Sequence, residues 1–163
     1  MLRFSATLLA IQRELGQIDT VIAHSLGAMA TTYTRKLGLE PARLVLIAPQ
    51  LDAEELFDNY GRLLKLRPAL ARLAREKIGE RLRELLNGSD PWETLCPSSL
   101  VGDPTLRGQL VYDLADPEVP PEHFRDILAN WSQCTPLETR GLGHNRILRD
   151  RGVIGAVVDY LRG

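Results

Sequence analysis

Cysteine is scarce: the 163-residue chain has two, Cys96 and Cys134. Two are too few for a disulfide scaffold, and they stand at no close metal-ligand spacing. Such usage fits a reducing compartment, so the expected location is cytoplasmic. An excess of charge is missing as well. With 20 basic against 21 acidic side chains and a formal net charge of −1, the chain has no electrostatic footprint for nucleic acid. Long apolar runs are also lacking. The longest, such as Leu44 to Pro49, fall far short of the roughly 18 residues of a membrane span. Internal repeats and linkers are not evident.

What is present is an ordinary globular balance, 44% hydrophobic and 25% charged, on a length that suits one domain with a real core. Met1 to Ile11 begins like a signal peptide, but Gln12, Arg13 and Glu14 interrupt it and no small-residue cleavage pattern follows. Phe4, Leu8, Ile11 and Leu15 instead recur at helical spacing, and Gly16 is placed to stop the helix. An amphipathic helix with those residues inward is expected. Asp19 to His24 and Arg43 to Ala48 are short, continuous apolar runs of the kind that suits strands buried on both faces of a parallel sheet. A helix from Ser25 to about Gly38 joins them, which makes a βαβ unit.

From Asp52 to about Leu86 the chain predicts two helices separated by Pro68, with Leu66, Leu70 and Leu73, then Ile78, Leu82 and Leu85, marking their apolar faces. Basic side chains from Arg62 to Arg83 crowd the opposite faces. They suit an anionic surface, or more simply a solvated face. Asn87 to Pro104 is expected to be loop. Gln109 to Tyr112 predicts a third strand, followed by a turn-rich loop to Pro121. A helix then carries Phe124, Ile127, Leu128 and Trp131 inward. A short strand follows at Pro136 to Arg140, then a loop at Gly141 to His144. The last helix is marked by Ile147, Ile154, Val158 and Leu161. The fold class is α/β: a three-layer sandwich with a mostly parallel sheet and a helical insertion at about 52–104.

The chemically informative stretch is Ala23-His24-Ser25-Leu26-Gly27, where a buried strand passes straight into a helix. Small residues two before and two after the serine permit a very tight turn. The serine is thereby held strained and exposed, and the N–H of Leu26 points into the same space at the positive end of the helix. A serine that merely caps the helix is the simpler alternative. A nucleophile needs a base, and the base an orienting acid. Of three histidines, His24 should point away from Ser25 and pack, and His123 should lie at the surface. His144, in the loop after the last strand, is placed to swing over the sheet end. For the acid, Asp116 lies just past the third strand, with Asp113 and Glu118 as rivals. The order Ser25, Asp116, His144 belongs to one hydrolase architecture, and all three would lie beyond the C-terminal ends of parallel strands.

At His24-Ser25-Leu26-Gly27-Ala28, Leu44-Val45-Leu46-Ile47-Ala48-Pro49, Asp116-Pro117-Glu118-Val119-Pro120 and Gly141-Leu142-Gly143-His144, the chain resembles the α/β-hydrolase superfamily, specifically small serine hydrolases of the esterase and lipase-like kind. The resemblance implies Ser25 as nucleophile, Asp116 as acid, His144 as base and Leu26 as an oxyanion-hole donor. It also implies a small-molecule acyl substrate and no metal or organic cofactor. Members of the superfamily carry further strands ahead of the nucleophile strand, together with the loop that supplies a second oxyanion-hole donor. The expectation is therefore residues 1–163 as one partial domain, N-terminally truncated, with low or no activity alone. Strand 19–24 is then an exposed edge that invites self-association or complementation. The alternatives are a non-catalytic binding module and an acyltransferase using the same serine.

Overall fold

The computed structural model describes residues 2–103 and 105–163, so the expected end of the insertion at Pro104 lies outside the described residues. In chain order the elements are α1 (Leu2–Leu15), β1 (Thr20–His24), α2 (Leu26–Lys36), β2 (Arg43–Ile47), α3 (Ala53–Leu63), α4 (Pro68–Leu85), α5 (Pro91–Thr94), α6 (Pro97–Val101), β3 (Arg107–Asp113), α7 (Pro121–Asn130), β4 (Cys134–Thr139), α8 (Gly143–Arg146) and α9 (Arg151–Arg162), with a 3₁₀ turn at Ile147–Arg149. The strands form one sheet in the order β1-β2-β3-β4, every pair parallel.

The central position of β2 explains its continuous apolar run, and β3 beside it shares the same alternation. Side chains alternate across a strand, so Leu44, Leu46 and Leu110 face one layer while Val45, Ile47 and Val111 face the other. The first layer brings Met29 and Tyr33 of α2 together with Phe124 and Ile127 of α7 and with Trp131. The second brings Ile147 and, from α9, Val153 and Val157. Covering both faces leaves β2 no solvent-facing side, and burial of each large side chain contributes about 1.5–3 kcal/mol. Gly108 belongs to the first layer. A Cβ there would stand 1.9 Å from the Trp131 indole, so glycine lets the ring lie against the strand while its Nε1–H donates to the Leu106 carbonyl at 2.8 Å.

Helices α3–α6 fill the connection between β2 and β3. Asp52 caps α3 by accepting from the Glu55 N–H at 2.9 Å, and Pro68 starts α4 where its missing N–H costs nothing. The expected loop at 87–104 contains α5 and α6 instead. Each opens on a proline, and the Asp90 carboxylate accepts from the Trp92 and Glu93 N–H groups.

Several expected faces are corrected. In α1, Phe4, Ile11 and Leu15 are exposed, and the buried contact is Ser5, whose Oγ accepts from Thr34 of α2 at 2.8 Å. In α9 the buried pair is Val153 and Val157, one position off the expected Ile154 and Val158. On α4, Leu70, Leu73, Ile78 and Leu85 retain substantial exposure. Strand β1 is half-covered, with Ile22 52% exposed on the sheet edge. Strands β3 and β4 both begin earlier than expected, at Arg107 and Cys134.

Candidate active site

The parallel register aligns the strand ends. His24 pairs with Ile47, Ile47 with Val111, and Asp113 with Thr139. Three loops therefore leave the same edge of the sheet side by side. Ser25 directly follows β1, Asp116 follows β3, and His144 lies in α8 beyond β4.

Ser25 has φ 53° and ψ −129°, a conformation that L-residues avoid and that costs of order 1–3 kcal/mol. The turn is held from outside: the Ser25 N–H donates to Ile47, and the Ser25 carbonyl accepts from Ala28 and Gln50 N–H groups. Its hydroxyl projects to within 2.9 Å of His144 Nε2, while His144 Nδ1 lies 2.9 Å from Asp116 Oδ2. The other Asp116 oxygen accepts from the Glu118 and Val119 N–H groups at 2.8 and 3.1 Å. That arrangement fixes the carboxylate plane. Nδ1–H then donates to Asp116, and Nε2 is left with its lone pair toward the hydroxyl. The His144 side chain is 5% exposed and that of Asp116 is fully buried.

The hydrogen bond that Nδ1–H donates to Asp116 raises the pKa of His144. Desolvation opposes that rise, and the charges of Asp116 and Glu118 add to it. Glu118 is the more open neighbour, with Oε2 3.7 Å from His144 Nε2 and its side chain 57% exposed. Leu26 is the first residue of α2, so its N–H has no intrahelical acceptor. It stands beside Ser25 at the lip of a cavity of about 790 Å³, which Gln50, Asn59, Tyr60 and Glu118 also line.

The structure thus brings Ser25, Asp116, His144 and Leu26 together and separates the rivals. Asp113 is fully buried and braces the backbone: it accepts from the Ala115, Gly141 and Leu142 N–H groups and from the Thr139 hydroxyl. Burial works to raise its pKa, but these donors outweigh burial and hold it at about 2. Two histidines are corrected. His24 does not point away from the site: its Nε2–H donates to the His144 carbonyl at 3.0 Å, and its ring lies 4.7 Å from the His144 ring. Desolvation lowers its pKa, which favours the neutral form. His123 is buried, with Nδ1 2.8 Å from Glu55 and Nε2 accepting from the Leu51 N–H at 3.0 Å, so it ties α7 to α3. Sequence reasoning also missed Gln50, Asn59 and Tyr60. The only signal for them was their position after the β2 end. Among the described residues, no group of three His, Cys, Asp or Glu side chains is placed to hold a metal ion.

Comparison with solved structures places the fold. An α/β-hydrolase from a sediment metagenome of the Mar Chica lagoon, Morocco, superposes with a TM-score of 0.66 at 13% identity, covering 98% of this chain and 68% of that one. A monoacylglycerol lipase of Paleococcus ferrophilus gives 0.62 at 17%, covering 96% and 73%. An esterase of Exiguobacterium antarcticum gives 0.64 at 12%, covering 98% and 72%. No family model matches the sequence. No curated protein matches it either. The chain has the α/β-hydrolase fold, as its sequence motifs imply, over about 70% of the length of these structures. No helix among the described residues is long and apolar enough to cross a membrane.

Proposed function

We propose that this chain is a serine hydrolase that cleaves carboxylic esters through an acyl-enzyme. The observation that carries the proposal is the hydrogen-bonded line from Ser25 to His144 to Asp116, with its serine on a strained turn at the start of a helix. As Ser25 Oγ attacks the ester carbonyl, His144 Nε2 takes the hydroxyl proton. The carbonyl π pair moves onto oxygen, where the Leu26 N–H donates to it. Asp116 stabilises the imidazolium through Nδ1–H. When the intermediate collapses, the C–O bond to the alcohol breaks and the leaving oxygen takes the proton from Nε2. Water then repeats the sequence on the acyl-Ser25 and releases the acid.

A fluorophosphonate probe is expected to label the protein, and Ser25→Ala to abolish the label. A folded protein, by circular dichroism, that takes no label overturns the reading. A second reading, a non-catalytic module, is favoured by the exposed flank of β1, which is suited to pairing with a partner strand or a second copy. An absent label would promote it. Product analysis with added alcohols separates hydrolysis from acyl transfer. We take a reducing cytosol as the compartment, in keeping with two unpaired thiols.

A further inference from the structure

Among the described residues lining the catalytic cavity, Gln50 carries a buried hydrogen-bond donor that the fold leaves unused. It is 2% exposed and lines the cavity together with Ser25, Leu26 and His144. Its Oε1 accepts from the Asp52 N–H at 3.2 Å. A backbone N–H can only donate, so the amide oxygen stands toward Asp52 and the nitrogen is the other end. Among the described residues, Nε2 has no hydrogen-bond partner. Nor is it sealed in, because the enclosed side-chain atoms without a partner are Arg35 Nε and Gln109 Oε1. Nε2 therefore reaches open space, and for so buried a side chain that space is the cavity. The other polar side chains there are differently placed. Asn59 donates to the Glu118 carbonyl and accepts from Arg62, while Tyr60 and Arg62 are exposed. The Glu118 carboxylate would repel an anion.

The backbone carries Gln50 to the nucleophile. Ala48, just past β2, has φ 41°, in the left-handed region that L-residues avoid. Its N–H still donates to the Val111 carbonyl at 2.8 Å, so the chain turns while held on the sheet. Pro49 stiffens the turn through its fixed φ. The Gln50 N–H then donates to the Ser25 carbonyl at 3.2 Å, which ties the glutamine to the frame that holds the serine. A carbonyl oxygen has two lone pairs, and the Leu26 N–H can meet one of them. We propose that Gln50 Nε2–H meets the other, so that the oxyanion is held between a backbone amide and a side-chain amide. The proposal rests on Ser25 acting as the nucleophile, and it adds a catalytic residue. As the bond from Ser25 Oγ to the carbonyl carbon forms, the π pair moves onto oxygen and both N–H groups tighten on it. When the alcohol leaves and the π bond re-forms, both hydrogen bonds weaken again.

The test is kcat and KM for p-nitrophenyl butyrate on the full chain and on Gln50→Met and Gln50→Glu. Methionine keeps the length of the side chain and removes the donor without adding charge. Glutamate keeps the acceptor for the Asp52 N–H and puts an oxygen where the donor stood. In both variants kcat should fall about a hundredfold or more, while KM stays within about threefold. Inhibition by an alkyl trifluoromethyl ketone, which the Ser25 hydroxyl converts into a bound oxyanion, should weaken in proportion to the loss of kcat. The acid limb of the pH–rate profile should stay in place in Gln50→Met, whereas a displaced His144 would move it. A kcat in Gln50→Met within about threefold of native overturns the proposal. So does a loss that falls on KM alone or that comes with a moved limb. If Gln50→Met does not fold, undiminished turnover by Gln50→Glu overturns it instead. Folded native protein that turns over no ester and takes no fluorophosphonate sinks the hydrolase reading and this one with it. Native labelling and turnover that both Gln50 variants retain remove Gln50 alone.

Discussion

Asp113 and Asp116 stand three residues apart at the end of one strand, yet they do opposite work. Asp113 spends its oxygens on backbone N–H groups and a threonine hydroxyl, while Asp116 divides its own between two N–H groups and His144. The sequence left Asp113, Asp116 and Glu118 open as the acid. Which carboxylate faces the imidazole is decided by the dihedral angles of one turn, and no residue type announces those. Glu118 has a separate electrostatic role. Its carboxylate stabilises the imidazolium of His144, so it helps raise that group above its ordinary value. As the proposed base, His144 works only when neutral, so the acid limb of kcat/KM should lie at higher pH than an ordinary imidazole would give. Glu118→Gln removes one negative charge and should shift that limb to lower pH. A pH–rate profile on both proteins checks the direction, and an unmoved limb counts against the base assignment.

At the scale of elements, the loop after β4 is positioned by the loop after β3. Asp113 accepts from Thr139, Gly141 and Leu142, and so binds the segment leading to His144 onto its own strand. Asp113→Ala should leave those buried donors unpaired and cost about 3 kcal/mol of stability. It should also cut fluorophosphonate labelling at least about tenfold, through a misplaced imidazole. Chemical denaturation and labelling rates measure the two effects. The existence of the strands was legible in the sequence, because β2 buries both faces and reads as an unbroken apolar run, and β3 keeps a shorter apolar stretch at Leu110 and Val111. Helix faces were less legible. Apolar residues at helical spacing fit several rotations of a helix, and only the neighbour selects one. In α1 the neighbour selected Ser5 over Phe4, and in α9 it selected Val153 and Val157 over Ile154 and Val158. The short helices α5 and α6 were visible in principle, since Pro91 and Pro97 occupy the first helical position that proline favours.

For the whole molecule, the sheet ends at β1, which pairs with β2 on one side and carries the exposed Ile22. An apolar edge with unpaired backbone groups invites another strand. Light scattering at rising concentration should therefore show association beyond a monomer, and Ile22→Lys should reduce it. A clean monomer at high concentration would remove β1 as a pairing surface. The likeness to solved hydrolases was legible from four short motifs because each sits at a strand end, where the backbone demands special residues.

Strands β2 and β3 pair across residues 48–106, which include α3 through α6. The other two crossovers, between His24 and Arg43 and between Asp113 and Cys134, are far shorter. The entropy of closing a loop grows with the logarithm of its length, and long-range parallel pairing is slow. Closing the β2–β3 crossover is therefore the costliest of the three closures in chain entropy. During synthesis, the β1–β2 half must wait on the ribosome until Arg107 to Asp113 has emerged before the sheet can grow past its second strand.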